Sequence, residues 1–159
     1  MLQRREQTDT HRDNDNYGSR MERTAEALQS KGFRLTPHRE AVHAYLASVH
    51  HHPTAEEVYL AVKGQGSRLS LATVYNALEA LVEAGLASKL AFGDGSARYD
   101  IRIDQHDHIH CLGCGMLRDV PSLLENTPLA QVPGVDFEVT SYRLELLGYC
   151  AACRQRRGK

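Results

Sequence analysis

Four cysteines stand in two pairs of identical spacing, Cys111-x-x-Cys114 and Cys150-x-x-Cys153, and no fifth is present. Two such knuckles match the tetrahedral tetrathiolate of structural zinc, a closed site with no open position for catalysis. Cysteines can also serve as small buried hydrophobes or as a redox pair, but the complete pairing favours metal. Histidine is the second unusual supply, with nine in 159 residues, and they cluster. His106, His108 and His110 alternate, so on a strand they share one face. Asp100 precedes them on a candidate hairpin strand, Asp119 lies on the strand that follows, and His52 stands just before a candidate helix. Imidazole and carboxylate without thiolate suit iron, manganese or zinc. The bland reading is that strand aspartates and loop histidines are surface groups. His38, His43, His50, His51 and His110 can all be solvated or packed, and His11 falls in a polar tail.

A third set of residues suits nucleic acid. Ser70, Ala72, Thr73, Tyr75 and Asn76 form the exposed N-terminal end of a candidate amphipathic helix. Helices of this kind place such residues at base edges in the major groove. Small Ala and Thr permit close approach, and Thr or Tyr packs on a thymine methyl. Arg34, Arg39 and Arg68 are available for phosphates or the minor groove. The competing reading is an ordinary amphipathic helix packed on a hairpin.

These groups need elements to position them. Residues 1–20 hold only Met1, Leu2 and Tyr17 as large apolar groups, which predicts a disordered tail. A helical pattern runs from Met21 to about Gly85. A first helix spans 22–31. Thr36-Pro37 is an N-cap followed by proline at the first helical position, and His50-His51-His52-Pro53 breaks the helix it opens. Thr54-Ala-Glu-Glu57 reads as a capping box opening a third helix over about 55–63. Ser70 caps a fourth, with Leu71, Val74, Leu78, Leu81 and Val82 as its apolar stripe. Strands are expected over 86–92 and 97–103 around a Gly93-Asp94-Gly95 turn. This is the plan of a winged helix-turn-helix. The second half predicts strands through His106–His110, over 116–120 and over 142–146, with a short helix over 122–131 that Pro128 limits. The expected class is α+β: a tail (1–20), a winged-helix DNA-binding domain (21–103), and a small α/β dimerisation and metal-binding domain (104–159) built on a three-stranded antiparallel sheet.

Composition excludes several alternatives. Apolar residues make up 42% and charged residues 25%, and Lys+Arg 19 against Asp+Glu 20 gives a formal charge of −1. That rules out a binder held by bulk positive charge but leaves room for a local basic face. No apolar run approaches the ~18 residues of a membrane span, and no signal peptide is visible. A cytoplasmic protein with no membrane partner is expected, and in that reducing compartment cysteine pairs point to metal.

At this point several motifs in order resemble one family. Arg34-Leu-Thr-Pro-His-Arg39, His52-Pro-Thr-Ala-Glu-Glu-Val-Tyr59, Ser70-Leu-Ala-Thr-Val-Tyr75 and His106-Asp-His-Ile-His-Cys111-Leu-Gly-Cys114-Gly resemble the ferric uptake regulator family from about Met21 to Cys153. The resemblance implies a homodimeric, metal-dependent repressor on a double-stranded DNA operator, with zinc in the four cysteines and a regulatory metal between the domains. In its peroxide-sensing branch the regulatory Fe2+ or Mn2+ is held by three His and two Asp, and those positions fall on His52, Asp100, His106, His108 and Asp119. Iron-sensing members more often carry Glu where this chain has Asp100 and Asp119. A further iron-sensor site uses His where this chain has Gln105 and Tyr142. The thiolate site of some zinc sensors finds no spare cysteine here.

The resemblance further implies a mechanism. Metal ties the two halves in one orientation, which sets the spacing of two recognition helices against the operator half-sites. Five nitrogen and oxygen ligands leave one octahedral position for peroxide. With Fe2+, His52 or His106 is then oxidised to 2-oxo-histidine, metal leaves and DNA is released. The runner-up is a metal-responsive repressor of the same family without peroxide sensing. An enzyme of the non-haem iron oxygenase class also has a His/carboxylate iron site. Against it, Asp107 adjoins His106 and points to the opposite face, and 159 residues leave little room for a substrate cavity. Zinc deaminase is excluded because no His-x-Glu precedes a Pro-Cys-x-x-Cys. A purely structural zinc ribbon explains the cysteines but not His52, Asp100 and Asp119.

Overall fold

Capping chemistry sets the helix boundaries of the first half. In the computed structural model, residues 9–66, 68–91, 97–124, 135–140 and 142–158 are described, with side chains from Gly18 onward. The chain divides after Ile103 into two units.

The first unit contains α1 (Asp9–Ser30), α2 (Pro37–Ser48), α3 (Ala55–Gly64), α4 (Leu71–Glu83), β1 (Ser88–Ala91) and β2 (Ala97–Asp100). Thr36 caps α2 by accepting from Arg39 N, with proline at the helix start. Thr54 and Glu57 form a reciprocal capping box on α3, at 3.3 and 2.8 Å. Ser70 caps α4 through Thr73 N at 3.1 Å. The buried positions of α4 are Val74, Ala77, Leu78, Ala80 and Leu81. They join Leu28, Val42, Leu46, Val58, Val62 and Tyr99 in one core. β1 and β2 pair antiparallel, with Ser88 opposite Asp100. The expected Gly93-Asp94-Gly95 turn lies outside the described residues.

One boundary differs from expectation. α1 spans Asp9–Ser30 and so begins earlier than the helix expected over 22–31. Leu28 and Thr24 are buried and anchor the later part of α1. Once that part is nucleated, adding preceding turns costs little, and 9–20 contain no proline to stop them.

The second unit contains β3 (Asp107–Cys111), β4 (Leu117–Val120), β5 (Glu145–Gly148) and α5 (Ala151–Arg157). The sheet order is β4-β3-β5. β3 and β4 are antiparallel, but β3 and β5 are parallel, so the expected all-antiparallel sheet is mixed. The reason lies in the cysteines. Cys111-x-x-Cys114 leaves the C-terminal end of β3, and Cys150 follows the C-terminal end of β5. Parallel pairing sets Cys111 opposite Gly148 and brings both knuckles to one end, whereas antiparallel pairing would send them to opposite ends. The expected strand over 142–146 begins three residues later, at Glu145, on the side nearer Cys150. Pro121–Leu124 is not helical, and the rest of the expected 122–131 helix lies outside the described residues. The C-terminal helix α5 was not anticipated. No described helix is long and apolar enough to cross a membrane.

Candidate metal centres

The four cysteine sulfurs lie within 4.8 Å of one another. Cys114 Sγ and Cys150 Sγ are 4.0 Å apart. Thiolates at ~2.3 Å from tetrahedral zinc stand ~3.8 Å apart, so the cluster fits the ion. Local backbone builds this geometry. Gly115 has φ +69, a left-handed turn that lets its N–H reach Cys111 O at 2.8 Å. At Gly113 a Cβ would meet Cys153 Cβ and Sγ at 2.9 Å, so the loop can close only on glycine. Cys150 N donates to Cys111 Sγ at 3.2 Å. That bond, with help from the Gly113 and Cys114 amides, holds the Cys111 thiol down at about 6. Burial and neighbouring thiols push Cys153 up to about 12. One sulfur ionises readily and another resists, as expected of a cluster that needs a divalent cation to hold four thiolates.

In the second unit, register positions a separate group. His108 and Asp119 are direct cross-strand partners on β3 and β4. Asp119 Oδ1 is 3.7 Å from Nε2 of both His106 and His108. The two Nε2 atoms are 3.1 Å apart. Adjacent ligands at ~2.1 Å from an octahedral metal stand ~3.0 Å apart, which the His106–His108 pair meets while the Asp119 carboxylate stands farther off. His106 Nδ1 lies 2.8 Å from Asp104 O. A carbonyl only accepts, so Nδ1 carries the proton and Nε2 presents its lone pair, the tautomer a ligand needs. His110 stands apart, with Nδ1 at 3.1 Å from Glu145 Oε1. Asp107 is fully buried and accepts from Leu123 N at 2.6 Å.

In the first unit, His52 and Asp100 meet, with Nε2 and Oδ2 at 3.4 Å. His52 immediately precedes the α3 cap, and β2 pins that segment. Tyr99 N donates to Pro53 O at 2.9 Å, Thr54 bridges Arg98, and Arg98 Nη1 donates to His52 O at 3.1 Å. Arg102 N donates to Asp100 Oδ1 at 2.8 Å, which orients the carboxylate.

The candidate DNA residues are placed as follows. Ala72, Tyr75 and Asn76 are exposed on α4. Ser70 and Thr73 are engaged in the cap, their hydroxyls 2.9 Å apart. Tyr75 OH donates to Glu56 Oε1 at 2.7 Å. Arg34 is exposed, and Arg39 Nη1 donates to Arg34 O at 2.6 Å while its guanidinium lies over Phe33. Sequence reasoning missed Asp104, Glu56 and Glu145. It also missed the basic turn of α5, where Arg156 Nη2 donates to Cys153 Sγ at 3.3 Å and Arg157 lies over Tyr149. The run Arg154-Gln-Arg-Arg157 beside the last knuckle was the available signal.

The chain is similar to several known proteins. The peroxide-responsive repressor PerR of Staphylococcus epidermidis is 39% identical over 137 residues, covering 85% of this chain and 91% of that protein. PerR of Staphylococcus aureus is 39% identical over 138 residues, covering 86% and 93%. Among solved structures, the Helicobacter pylori ferric uptake regulator, described as having three functional metal-binding sites, superposes with a TM-score of 0.74 at 25% identity, covering 86% of this chain and 93% of that one. The Campylobacter jejuni peroxide stress regulator gives a TM-score of 0.59 at 28% identity, covering 74% and 89%. Residues 30–147 match the ferric uptake regulator family itself, and with that the chain belongs to the ferric uptake regulator family.

Proposed function

We propose that this chain is a cytoplasmic, homodimeric repressor that binds operator DNA through a winged helix-turn-helix and releases it on exposure to peroxide. In this reading His52 and Asp100 of the first unit and His106, His108 and Asp119 of the second hold one Fe2+ or Mn2+, and Cys111, Cys114, Cys150 and Cys153 hold zinc. The observation that carries it is the donor set. Both His/Asp groups offer only imidazole and carboxylate, while every cysteine of the chain is committed elsewhere. Such hard donors suit Fe2+ and Mn2+. The relatives named as peroxide-responsive repressors support the same branch.

Metal that prefers the DNA-competent arrangement shifts the population toward it and acts as corepressor. Ala72, Tyr75 and Asn76 read base edges, Ser70 and Thr73 hold the start of the reading helix, and Arg34 and Arg39 contact the backbone or minor groove. An Fe2+ held there would supply cleavage of the peroxide O–O bond, and His52 and His106 would be the imidazoles placed to take one oxygen at a ring carbon while the other leaves as water. The oxidised ring is a poorer ligand, so the tie between the halves is lost.

The test is mass spectrometry of the Fe2+-loaded protein after mild peroxide, paired with operator binding. The expected result is a single added oxygen on His52 or His106 and loss of binding, with the Mn2+ form unaffected. Oxidised cysteines with intact histidines would make it a thiol switch instead. DNA binding that tracks metal concentration alone, with nothing oxidised, would leave a plain metal-responsive repressor. That second reading is favoured by the similarity to the manganese-bound ferric uptake regulator of Pseudomonas aeruginosa, at 27% identity and a TM-score of 0.67.

A further inference from the structure

The first unit holds a cavity of about 420 Å³ lined by none of the metal ligands and none of the residues assigned to DNA. Its volume falls in the ~300–1,000 Å³ range of small-molecule sites. The walls combine two kinds of surface. Leu86, Ile101 and Ile103 present hydrocarbon, while Arg20 and Arg23 of α1 present guanidinium groups beside His43 of α2. Ile103 is 65% exposed, an uncovered apolar group at the cavity's edge.

His43 is the unusual member. It is 5% exposed, and its Nδ1 has no hydrogen-bond partner among the described residues. The ring lines the cavity, but Nδ1 itself is sealed from solvent, so the N–H it can offer to the cavity is the one on Nε2. Arg20 is close enough for its charge to act on His43, and burial with that charge holds the imidazole below its ordinary value. The ring is therefore neutral at pH 7 and can donate one N–H. No carboxylate or other acceptor pairs with the Arg20 guanidinium among the described residues. Arg23 spends Nε on Ser19 O at 3.2 Å, which leaves its terminal nitrogens to face a ligand.

We propose that this cavity binds an amphipathic organic anion, a carboxylate held by Arg20 and Arg23 with an N–H from His43, its hydrocarbon body lying against Leu86, Ile101 and Ile103. Guanidinium binds carboxylate through paired, charge-assisted hydrogen bonds, which a neutral head group cannot match. The apolar walls add nothing for a bare inorganic anion, so head and body are both required. The site stands on the first unit alone and does not depend on how the regulatory metal is read.

The experiment uses the zinc-loaded full chain with octanoate as probe, and acetate and 1-octanol as its two halves. Calorimetry measures affinity, and NMR follows the histidine ring resonances, with that of His43 identified from the His43→Gln spectrum. Octanoate is expected to bind one per chain and to move the His43 resonance. Acetate and octanol are expected to bind at least about tenfold more weakly. Arg20→Gln, a change at an exposed helix position, is expected to weaken octanoate about tenfold and leave octanol unchanged, the loss of one charge-assisted contact. Octanol binding as tightly as octanoate, an unmoved His43 resonance, or no effect of Arg20→Gln would each overturn the proposal.

Discussion

The two units are held together by different physics. In the first, Leu28, Val42, Leu46, Val58, Val62, Val74, Leu78, Leu81 and Tyr99 are essentially inaccessible and form one continuous core. In the second, the buried apolar residues among those described are Cys111 and Cys153, two members of the cysteine cluster. Several of its larger hydrophobics are exposed on the single chain instead: Leu112, Leu123, Val135, Phe137, Leu146 and Leu147. The first unit is thus stabilised by removing hydrocarbon from water. The second is a small mixed sheet whose ends converge on four clustered cysteines, the arrangement expected where a metal must supplement a small core. The first unit, with its continuous core, is expected to stay folded whatever the metal state. The second, which carries His106, His108 and Asp119, is expected to depend on a metal in its four cysteines for its own order.

Removing a thiolate tests this contrast most severely. Cys111→Ser is expected to lose zinc, and with it most of the folding free energy of the second unit, since structural zinc contributes on the order of 10–16 kcal/mol in small domains. Metal analysis should show less than one zinc per chain. Hydrogen exchange should show lost protection in β3, β4 and β5 with α2, α3 and α4 still protected. Protected β3 and β5 amides in the zinc-free variant would break the comparison.

The converse substitution lies in the apolar core. Leu78→Ala empties a fully buried position on α4 and is expected to cost ~2–5 kcal/mol in the first unit. Zinc content should remain at one per chain, and exchange in the second unit should not change. A chain that loses zinc along with core stability would show that the two units fold as one.

What the sequence disclosed follows the same division. The caps at Thr36, Thr54 and Ser70 are local chemistry, satisfied within three residues, and each lies where spacing predicted it. The two Cys-x-x-Cys knuckles and the His and Asp donors were legible because residue type alone limits what they can do. Strand direction was not. Alternation tells which face a residue occupies and says nothing of the partner strand's direction, so β5 was read as antiparallel. The seven-residue helix α5 lacks a period long enough to detect. Long-range pairs such as Glu56 with Tyr75 and His110 with Glu145 join residues 19 and 35 positions apart, and nothing local announces them. The start of α1 was misplaced because composition measures what a segment can bury, not whether a neighbouring helix will extend through it.

A smaller effect sharpens the link between caps and ligands. Thr54→Ala removes half of the capping box and is expected to cost ~1 kcal/mol, read from the denaturation midpoint of the first unit. Because Thr54 also bridges Arg98, whose guanidinium holds His52 O, the loss should raise exchange at the amides of β2. Unchanged stability would mean that β2 alone fixes the segment carrying His52.

The smallest expected effect separates the first unit's core from its one buried base. His43 has its protonation disfavoured first by burial and then by Arg20, relative to an ordinary value of 6.5. The unfolded chain therefore binds a proton at pH values where the folded unit does not. Stability from this source is present above 6.5 and is lost as the pH falls below it. A single proton bounds the slope at ~1.4 kcal/mol per pH unit, and only the part of the range below 6.5 contributes. His43→Leu removes the titrating group, so its stability should fall less steeply between pH 7 and 5.5 than that of the parent chain. The readout is the difference in slope between the two proteins, which cancels every other histidine. Equal slopes would mean that His43 is not shielded from water, and the cavity beside it would then be wet rather than a recess for an apolar body.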